Sequence, residues 1–230
     1  MSYVHFAALM LHLWVRVTNP RTKTVVLGLE HIEASALLLT NEFCEREPLC
    51  GVLGIQRAEV LPFFREQVRH VALQGLSIVA LGRGGMVKGV LTVEDHMNLF
   101  HPEQETTHEG LLIIGAYLDS NKIPEHILPR RKGEVFYCGL AAVAKGKGNS
   151  QILTMLILGI YRHLRRLGYM RGYAKVTNPG IVRRFQRLER LARGPVFSSA
   201  YTANPADFVY FGRQPFAGYR GSTSVFNWNI

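Results

Sequence analysis

Apolar residues recur at three- and four-residue spacing in two segments of the first half of the chain. The first, residues 30–43, has one apolar face and is followed by Pro48, whose ring and missing N–H prevent a helix from continuing much past Glu47. The second, residues 59–75, has a similar face and ends at Gly75, a residue type that commonly terminates helices. We therefore expect two amphipathic helices here.

Other apolar stretches before residue 100 favour strands. Residues 6–17 and 24–29 are rich in β-branched and apolar residues and flank the turn-forming sequence TNPRT, which predicts a hairpin. Residues 76–95 contain two alternating apolar runs around Arg83–Gly85, which predict a second hairpin. A nucleotide-binding role for the glycines of that turn is not favoured, because no long helix follows them.

The second half of the chain alternates between the two kinds of pattern. A short helix is expected at residues 109–120 and a buried strand at residues 134–143. After Ser150 the sequence predicts a largely buried helix that ends at Gly168. The remaining predictions are a strand at 169–176, a helix at 181–193, and one or two final strands within 194–202 and 207–216.

These elements predict one α+β domain. The chain has 230 residues, enough to bury a substantial core, and 47% of them are hydrophobic. No repeat, low-complexity tract or convincing linker divides the sequence. We expect a single domain over residues 1–230, in which residues 1–23 can add an extra N-terminal strand.

Charge favours an anionic partner. There are 27 Lys and Arg residues against 17 Asp and Glu, so the formal net charge is +10. Nucleic acid, an acidic surface and a phosphorylated cofactor all fit this excess of positive charge, and charge alone does not choose among them.

Cysteine and histidine usage gives no sign of a metal centre or a disulfide framework. Cys44, Cys50 and Cys138 form no CxxC pair and leave one odd thiol, and the nine histidines have no ligand spacing. We expect Cys138 to be a small core residue rather than a nucleophile. The apolar N-terminal stretch has no basic residue before it and is too short to span a bilayer, so a cytoplasmic protein without a membrane partner is expected.

The sequence AVAKGKGNSQIL, residues 142–153, carries the strongest candidate chemistry. A strand, a glycine-rich loop and a helix in this order present free backbone N–H groups and the positive end of the helix dipole to an anion. The loop matches neither a P-loop nor a dinucleotide fingerprint, and an ordinary basic turn remains the alternative. The candidate anion-binding residues are Lys145, Gly146, Lys147, Gly148, Asn149 and Ser150.

This loop resembles the signature of the GNAT superfamily, the acyl-CoA N-acyltransferases. The signature is Arg or Gln, two residues, Gly, one residue, then Gly or Ala. Here Lys145, Gly148 and Ser150 stand at the three defining positions, and only Gly148 is identical. Two further segments strengthen the resemblance. NEFCEREPLCGVLG is similar to the end of the first helix in insect arylalkylamine N-acetyltransferases, and KVTNPGIVRRFQRL resembles the superfamily's fifth strand and the following helix.

The resemblance implies a mixed, mostly antiparallel sheet that splays between its fourth and fifth strands, with helices on its flanks. It also implies acetyl-CoA as the cofactor. Pantetheine would lie in the gap beside the backbone of Leu140, and the pyrophosphate would meet the N–H groups of residues 146–150. Asn178 would lie at the end of the fifth strand as a further cofactor-binding residue.

The resemblance further implies transfer of an acetyl group to a primary amine, a small arylalkylamine or a polyamine. A protonated amine must lose a proton before it attacks a thioester, and the resemblance assigns that task to Glu47, with Glu45 as the nearest rival. Many relatives carry a tyrosine acid seven residues after the position of Asn178. That position is Phe185 here, so the general acid is left open.

The arginine-rich segment 181–193 keeps a second interpretation open. Five arginines crowd this predicted helix, which is typical of a solvated face. They would also suit the cofactor's outer phosphate, an acidic partner or RNA. The alternative function is therefore a basic binding module for nucleic acid or an acidic partner on a catalytically inactive acyltransferase fold.

Overall fold

A computed structural model describes residues 22–146, 149–192 and 197–230. Its strands are β1 (Lys23–Val26), β2 (Ile78–Leu81), β3 (Val87–Asp95), β4 (Val135–Val143), β5 (Arg171–Val176), β6 (Phe197–Ala203) and β7 (Thr223–Asn229). Its α-helices are α1 (Ile32–Arg46), α2 (Pro48–Leu53), α3 (Arg57–Gln74), α4 (Pro102–Glu105), α5 (Glu109–Ser120), α6 (Asn149–Arg166) and α7 (Pro179–Ala192).

The strands form one mixed sheet in the order β1-β2-β3-β4-β5-β7-β6. Neighbouring strands are antiparallel except β4 and β5, which are parallel. Helix α6 lies between these two strands in sequence and provides the crossover that a parallel pair requires. The predicted α+β fold is confirmed.

Helices cover both faces of the sheet. On the first face, α1, α2, α3 and α5 pack into one apolar cluster; on the second face, α6 and α7 pack into another. Strand β2 shows why both faces are apolar: Val79 and Leu81 contribute to the first cluster, whereas Ile78 and Ala80 contribute to the second. This two-residue alternation is the periodicity of a strand that is buried on both sides.

The parallel pair opens into a wedge. Strands β4 and β5 are in register from Val135 and Arg171 to Cys138 and Ala174, and their pairing stops there although both strands continue. On its other side, β4 stays paired with β3 as far as Val143, with an irregularity between Leu91 and Val93. The sheet is therefore splayed between its fourth and fifth strands, as the resemblance implies.

Most predicted elements of the first half are confirmed. Helix α1 ends at Arg46, directly before Glu47 and Pro48, and α3 ends at Gln74, directly before Gly75, which adopts a left-handed conformation with φ 66°. The hairpin around Arg83–Gly85 is formed by β2 and β3. The predicted strand at residues 6–17 lies outside the described residues.

The prediction for the C-terminal region was wrong in one segment. Residues 207–216 were expected to form a strand, but they form turns with one isolated bridge between Tyr210 and Arg213. Phe211 and Gly212 have φ 45° and 76°, values that a strand does not contain. The last strand is β7, which pairs with both β5 and β6 and buries Trp228.

Within the described ranges, no helix is both long and apolar enough to cross a membrane.

Gly172 tests the packing at the paired end of the wedge. It lies opposite Phe136, and a Cβ added to Gly172 would be 2.5 Å from atoms of that fully buried ring. We expect Gly172→Ala to lower the free energy of unfolding by about 1–3 kcal/mol, because the core must shift to admit a methyl group. Urea denaturation measures the change.

Gly51→Ala is the matched control. Gly51 lies in α2, it is exposed, and a Cβ there would meet nothing within 4 Å. This variant should be as stable as the original chain or up to about 1 kcal/mol more stable. Equal effects of the two substitutions would contradict the packing described here.

Candidate active site

A cavity of about 710 Å³ follows the wedge and extends to both faces of the sheet. On the first face its walls come from α1, α3, α5 and strand residues that face them, and they include Glu42, Glu47, Glu94 and Asp119. We call this part the carboxylate arm. On the second face the walls come from α6 and α7 and include Arg184, so we call this part the arginine arm.

Glu47 lies at the corner between α1 and α2. Its extended backbone ends α1 and begins α2, because Pro48 fits the first position of a helix but not the interior. One carboxylate oxygen accepts a hydrogen bond from the Thr177 hydroxyl at 2.8 Å, and the other accepts from the Leu49 N–H at 3.4 Å. Burial raises the pKa of Glu47 despite these two bonds. This carboxylate lines the cavity and has a higher proton affinity than an exposed glutamate.

Glu45, the rival base, has a different environment. Its carboxylate contacts the guanidinium of Arg57 and the ammonium of Lys145. It therefore links α1, α3 and the loop after β4 as an ion pair, and it does not line the described part of the cavity. The geometry favours Glu47 over Glu45 as the residue that meets a substrate.

Glu94 is a cavity residue that the sequence analysis missed. It lies on β3, only 2% exposed, and accepts a hydrogen bond from the Phe100 N–H. Burial raises the pKa of Glu94 to about 7. The imidazole of His70 lies 3.8 Å from its carboxylate. The available signal was an acid at an inward position of the strand sequence VKGVLTVED, in which Asp95 is the second acid.

Two tyrosines stand beside Glu94 on the same face. The rings of Tyr137 and Tyr173 stack with centroids 5.0 Å apart, and the Tyr173 hydroxyl lies 3.0 Å from Nδ1 of His96. Burial raises the pKa of Tyr173, and the nearby carboxylates of Glu94 and Asp119 raise it further. These residues form an aromatic wall at the paired end of the wedge.

The backbone of Leu140 is turned towards β3. Its N–H donates to the Thr92 hydroxyl oxygen at 2.7 Å, and its carbonyl lies 3.3 Å from the same hydroxyl, which donates to it. Its neighbours Gly139 and Ala141 also border the cavity. The cofactor contact at Leu140 stays a prediction.

The glycine-lysine loop is described in part. Gly146 has φ 146°, a conformation that favours glycine, and α6 begins at Asn149, directly before Ser150. Lys145 forms the ion pair with Glu45. Lys147 and Gly148, the residue identical to the GNAT signature, lie outside the described residues. The anion-binding role of this loop stays a prediction.

Asn178 connects three elements at the open end of the wedge. Its side-chain oxygen accepts from the Gly180 N–H at 2.9 Å and caps α7, and its amide nitrogen donates to the Arg46 carbonyl at 3.2 Å. Asn178 therefore holds the end of β5 against α1. It also lines the cavity, and its role in cofactor binding stays a prediction.

The second face supplies no proton donor at the expected position. Phe185 is buried against Phe226, with ring centroids 5.2 Å apart. Cys138 is 5% exposed, and burial raises the pKa of its thiol to about 12, as suits a core residue. Arg184 donates to the Thr154 hydroxyl at 2.6 Å, and burial followed by the charge of Arg187 lowers the pKa of Arg184.

The raised pKa of Glu94 predicts a pH-dependent stability. An unfolded glutamate ionises near 4.5, whereas Glu94 ionises near 7 in the fold. As the pH rises between these values the unfolded chain loses its proton first, so the folded state loses about 3 kcal/mol of stability. Glu94→Gln should therefore gain stability relative to the original chain from pH 4.5 to pH 8, measured by urea denaturation.

Glu66→Gln serves as the control for that prediction. Glu66 lies on the exposed surface of α3, paired with Arg69. Its substitution should change stability by less than about 1 kcal/mol at either pH. A Glu94→Gln variant that behaves like Glu66→Gln would show that Glu94 ionises normally.

Comparison with known proteins supports the fold. No protein-family model matches the sequence, and no curated protein matches it. The chain is similar in structure to the C-terminal condensation domain of Ebony in complex with beta-alanyl-dopamine, at a TM-score of 0.78 and 14% identity. The similarity covers 91% of this chain and 99% of that one.

Two acetyltransferases are also similar. Arylalkylamine N-acetyltransferase 2 from Aedes aegypti has a TM-score of 0.66 at 16% identity, covering 91% of this chain and 99% of that one. The Drosophila melanogaster polyamine N-acetyltransferase, which forms N-acetylagmatine, has a TM-score of 0.63 at 16% identity, covering 91% and 100%. Together with the splayed sheet, these similarities show that the chain has the fold of the GNAT acetyltransferases.

Proposed function

We propose that the chain is an acetyl-CoA-dependent N-acetyltransferase that acts on a primary amine, an arylalkylamine or a polyamine. The observation that carries the proposal is the cavity that passes through the wedge, with the high-pKa carboxylate of Glu47 at its wall. The three similar structures support an amine substrate. One is a complex with beta-alanyl-dopamine, one is an arylalkylamine N-acetyltransferase, and one is an enzyme that forms N-acetylagmatine.

The second face suits the acyl donor. Residues 139–143 of β4 have no partner strand on the β5 side, so this edge can pair with an extended, amide-containing chain such as pantetheine. Helix α6 begins close to this edge, and its first N–H groups have no intrahelical partner. Arg184 adds a guanidinium to the same arm. Coenzyme A, when bound, supplies the acetyl group as a thioester.

The proposed cofactor-binding residues are those of the sequence analysis. They are Leu140 on the fourth strand, Asn178 after the fifth, and the loop residues Lys145, Gly146, Lys147, Gly148, Asn149 and Ser150.

The first face suits the amine. A primary amine enters mostly protonated, and the carboxylate arm attracts its positive charge. Glu47 accepts one proton from the ammonium group, which leaves a lone pair on nitrogen to attack the acyl carbon. Thr177 holds the carboxylate in place through its 2.8 Å hydrogen bond. The new C–N bond would replace the C–S bond of the thioester; the nitrogen would give up its second excess proton and the leaving thiolate would take up one proton to become a thiol, through groups that are not assigned.

The alternative function, a basic module for nucleic acid, has less support. Arg184 is half-buried, lines the cavity and donates a hydrogen bond to the Thr154 hydroxyl. No observation on the described residues favours nucleic acid over a phosphorylated cofactor for this arginine.

Ala141 tests whether the wedge binds the donor. It is exposed on the open part of β4 and lines the cavity. Acetyl-CoA at a hundred times its dissociation constant should raise the melting temperature by about 5–10 °C, because only the folded chain binds it. Ala141→Trp should remove this rise by filling the wedge. Thermal denaturation with and without acetyl-CoA measures both effects.

Leu73→Trp controls for the added indole. Leu73 is 72% exposed on α3 and lies outside the cavity. This variant should keep the full rise, and both variants should melt like the original chain without ligand. Retention of the rise by Ala141→Trp would place acetyl-CoA elsewhere.

Glu47→Gln tests the base. The variant should keep the acetyl-CoA rise but lose about 10²–10⁴-fold in kcat/KM for amine acetylation. The original chain should lose activity as the pH falls through the raised pKa of Glu47, and the variant should lack this limb of the profile. A free-thiol assay across the pH range provides the measurement.

Glu45→Gln is the isosteric control two residues away, since Glu45 is bound in surface ion pairs. It should retain activity and the acidic limb. Full activity in Glu47→Gln would remove Glu47 from the mechanism.

A further inference from the structure

The carboxylate arm carries more negative charge than its own cations balance. Glu42 forms an ion pair with Arg46 at 2.9 Å, and Asp119 lies 3.8 Å from the ammonium of Lys175. Among the described residues, no Lys or Arg lies within 4 Å of the carboxylates of Glu47 or Glu94. His70 is the basic side chain near Glu94, and its ring nitrogen is also in hydrogen-bond contact with the Asn98 carbonyl at 3.0 Å.

These two carboxylates lie on opposite sides of the wedge. Glu47 is bonded to Thr177, three residues beyond the last paired residue of β5, and one oxygen of Glu94 lies 3.6 Å from the Cβ position of Gly139, one residue beyond the last pair of β4. A rise of about 3.3 Å per residue and a strand separation of at least the roughly 4.8 Å of a paired sheet put the two groups at least about 8 Å apart, since the strands are splayed here. A single ammonium group is too small to contact both.

The surroundings of Glu94 also suit a cation. Its carboxylate accepts a hydrogen bond from the backbone of Phe100, whose ring packs against Phe63 at 5.4 Å. Tyr137 lies opposite Glu94 on β4 and lines the same cavity. Aromatic faces attract cations, and a buried carboxylate without a Lys or Arg partner gains most from one.

We propose that the acceptor is a diamine and that Glu94 is the residue that selects it, by binding the distal ammonium group while Glu47 takes a proton from the reacting one. This inference rests on the proposed function and narrows its substrate class from arylalkylamine or polyamine to an amine with two positive charges. Glu94 is then a specificity residue, and Glu47 remains the base.

Putrescine and n-butylamine form a matched substrate pair, because they differ in the second amino group alone. The original chain should acetylate putrescine with a kcat/KM at least about tenfold above that for butylamine, the factor given by about 1.4 kcal/mol of added binding. Glu94→Gln keeps the size of the side chain and an acceptor for the Phe100 N–H. Glu94→Gln should abolish the preference by raising KM for putrescine, whereas kcat/KM for butylamine should change less than about threefold.

Glu66→Gln is the charge-matched control, since it removes one surface carboxylate from α3 outside the cavity, and it should keep the preference. The inference is overturned if the original chain uses butylamine or phenethylamine as well as putrescine, or if Glu94→Gln keeps the preference.

Calorimetry of putrescine binding separates this inference from the proposed function. Even if no acetyl transfer is detected, the inference is supported when the original chain binds putrescine and Glu94→Gln weakens that binding at least about tenfold. The inference is overturned when the original chain does not bind putrescine. If the original chain neither binds acetyl-CoA nor acetylates any amine, that result counts against the proposed function and not against the selection of diamines by Glu94.

Discussion

The loss of pairing between β4 and β5 after Cys138 and Ala174 is the constraint on which the rest of the site depends. Two parallel strands that continue side by side normally keep bonding, because each unpaired backbone group in a buried place costs free energy. Something must therefore hold them apart. On one side, Thr92 binds both backbone groups of Leu140 and fixes this part of β4 against β3.

The other side of the wedge is held by side chains that follow β5. Thr177 donates to Glu47, and Asn178 donates to the carbonyl of Arg46, so the end of β5 is attached to the corner between α1 and α2. Pro48 creates that corner by ending α1. The proposed base is thus part of the bracing, and its position is fixed by the same bonds that open the wedge.

Hydrophobic periodicity predicted most of the fold because each element of this chain has its own pattern. The helices at 30–43 and 59–75 and the hairpin around Arg83–Gly85 were all evident from it. Strand β7, with the sequence TSVFNWN, was missed because the aromatic segment 207–216 was assigned as the strand instead. The left-handed conformations of Phe211 and Gly212 prevent a continuous strand there, because these two residues form the turn between Tyr210 and Arg213.

Only the part of the site formed by residues that are close in sequence could be predicted. Glu47 could be placed by its proximity to Pro48, whereas Glu94 is 47 positions away in sequence and joins the site only because β3 runs beside β4. An acid near the end of a strand usually faces solvent, so its inward position in VKGVLTVED was a weak signal of burial. Asn178 differs from Glu94 because its position was predicted: it lies at the end of the fifth strand, as the resemblance implies. The side-chain hydrogen bonds that it forms, however, cap α7 and hold α1.

The distribution of charge resolves a difficulty that the net charge of +10 raised for a cationic substrate. A field from many surface cations repels amines at long range, but it is screened within about 10 Å at moderate ionic strength. Inside the wedge the local groups decide, and there two buried carboxylates face the first arm while Arg184 faces the second. The proposed polyanionic donor and the proposed cationic acceptor can then enter one cavity from opposite faces of the sheet, each towards the sign of charge that attracts it.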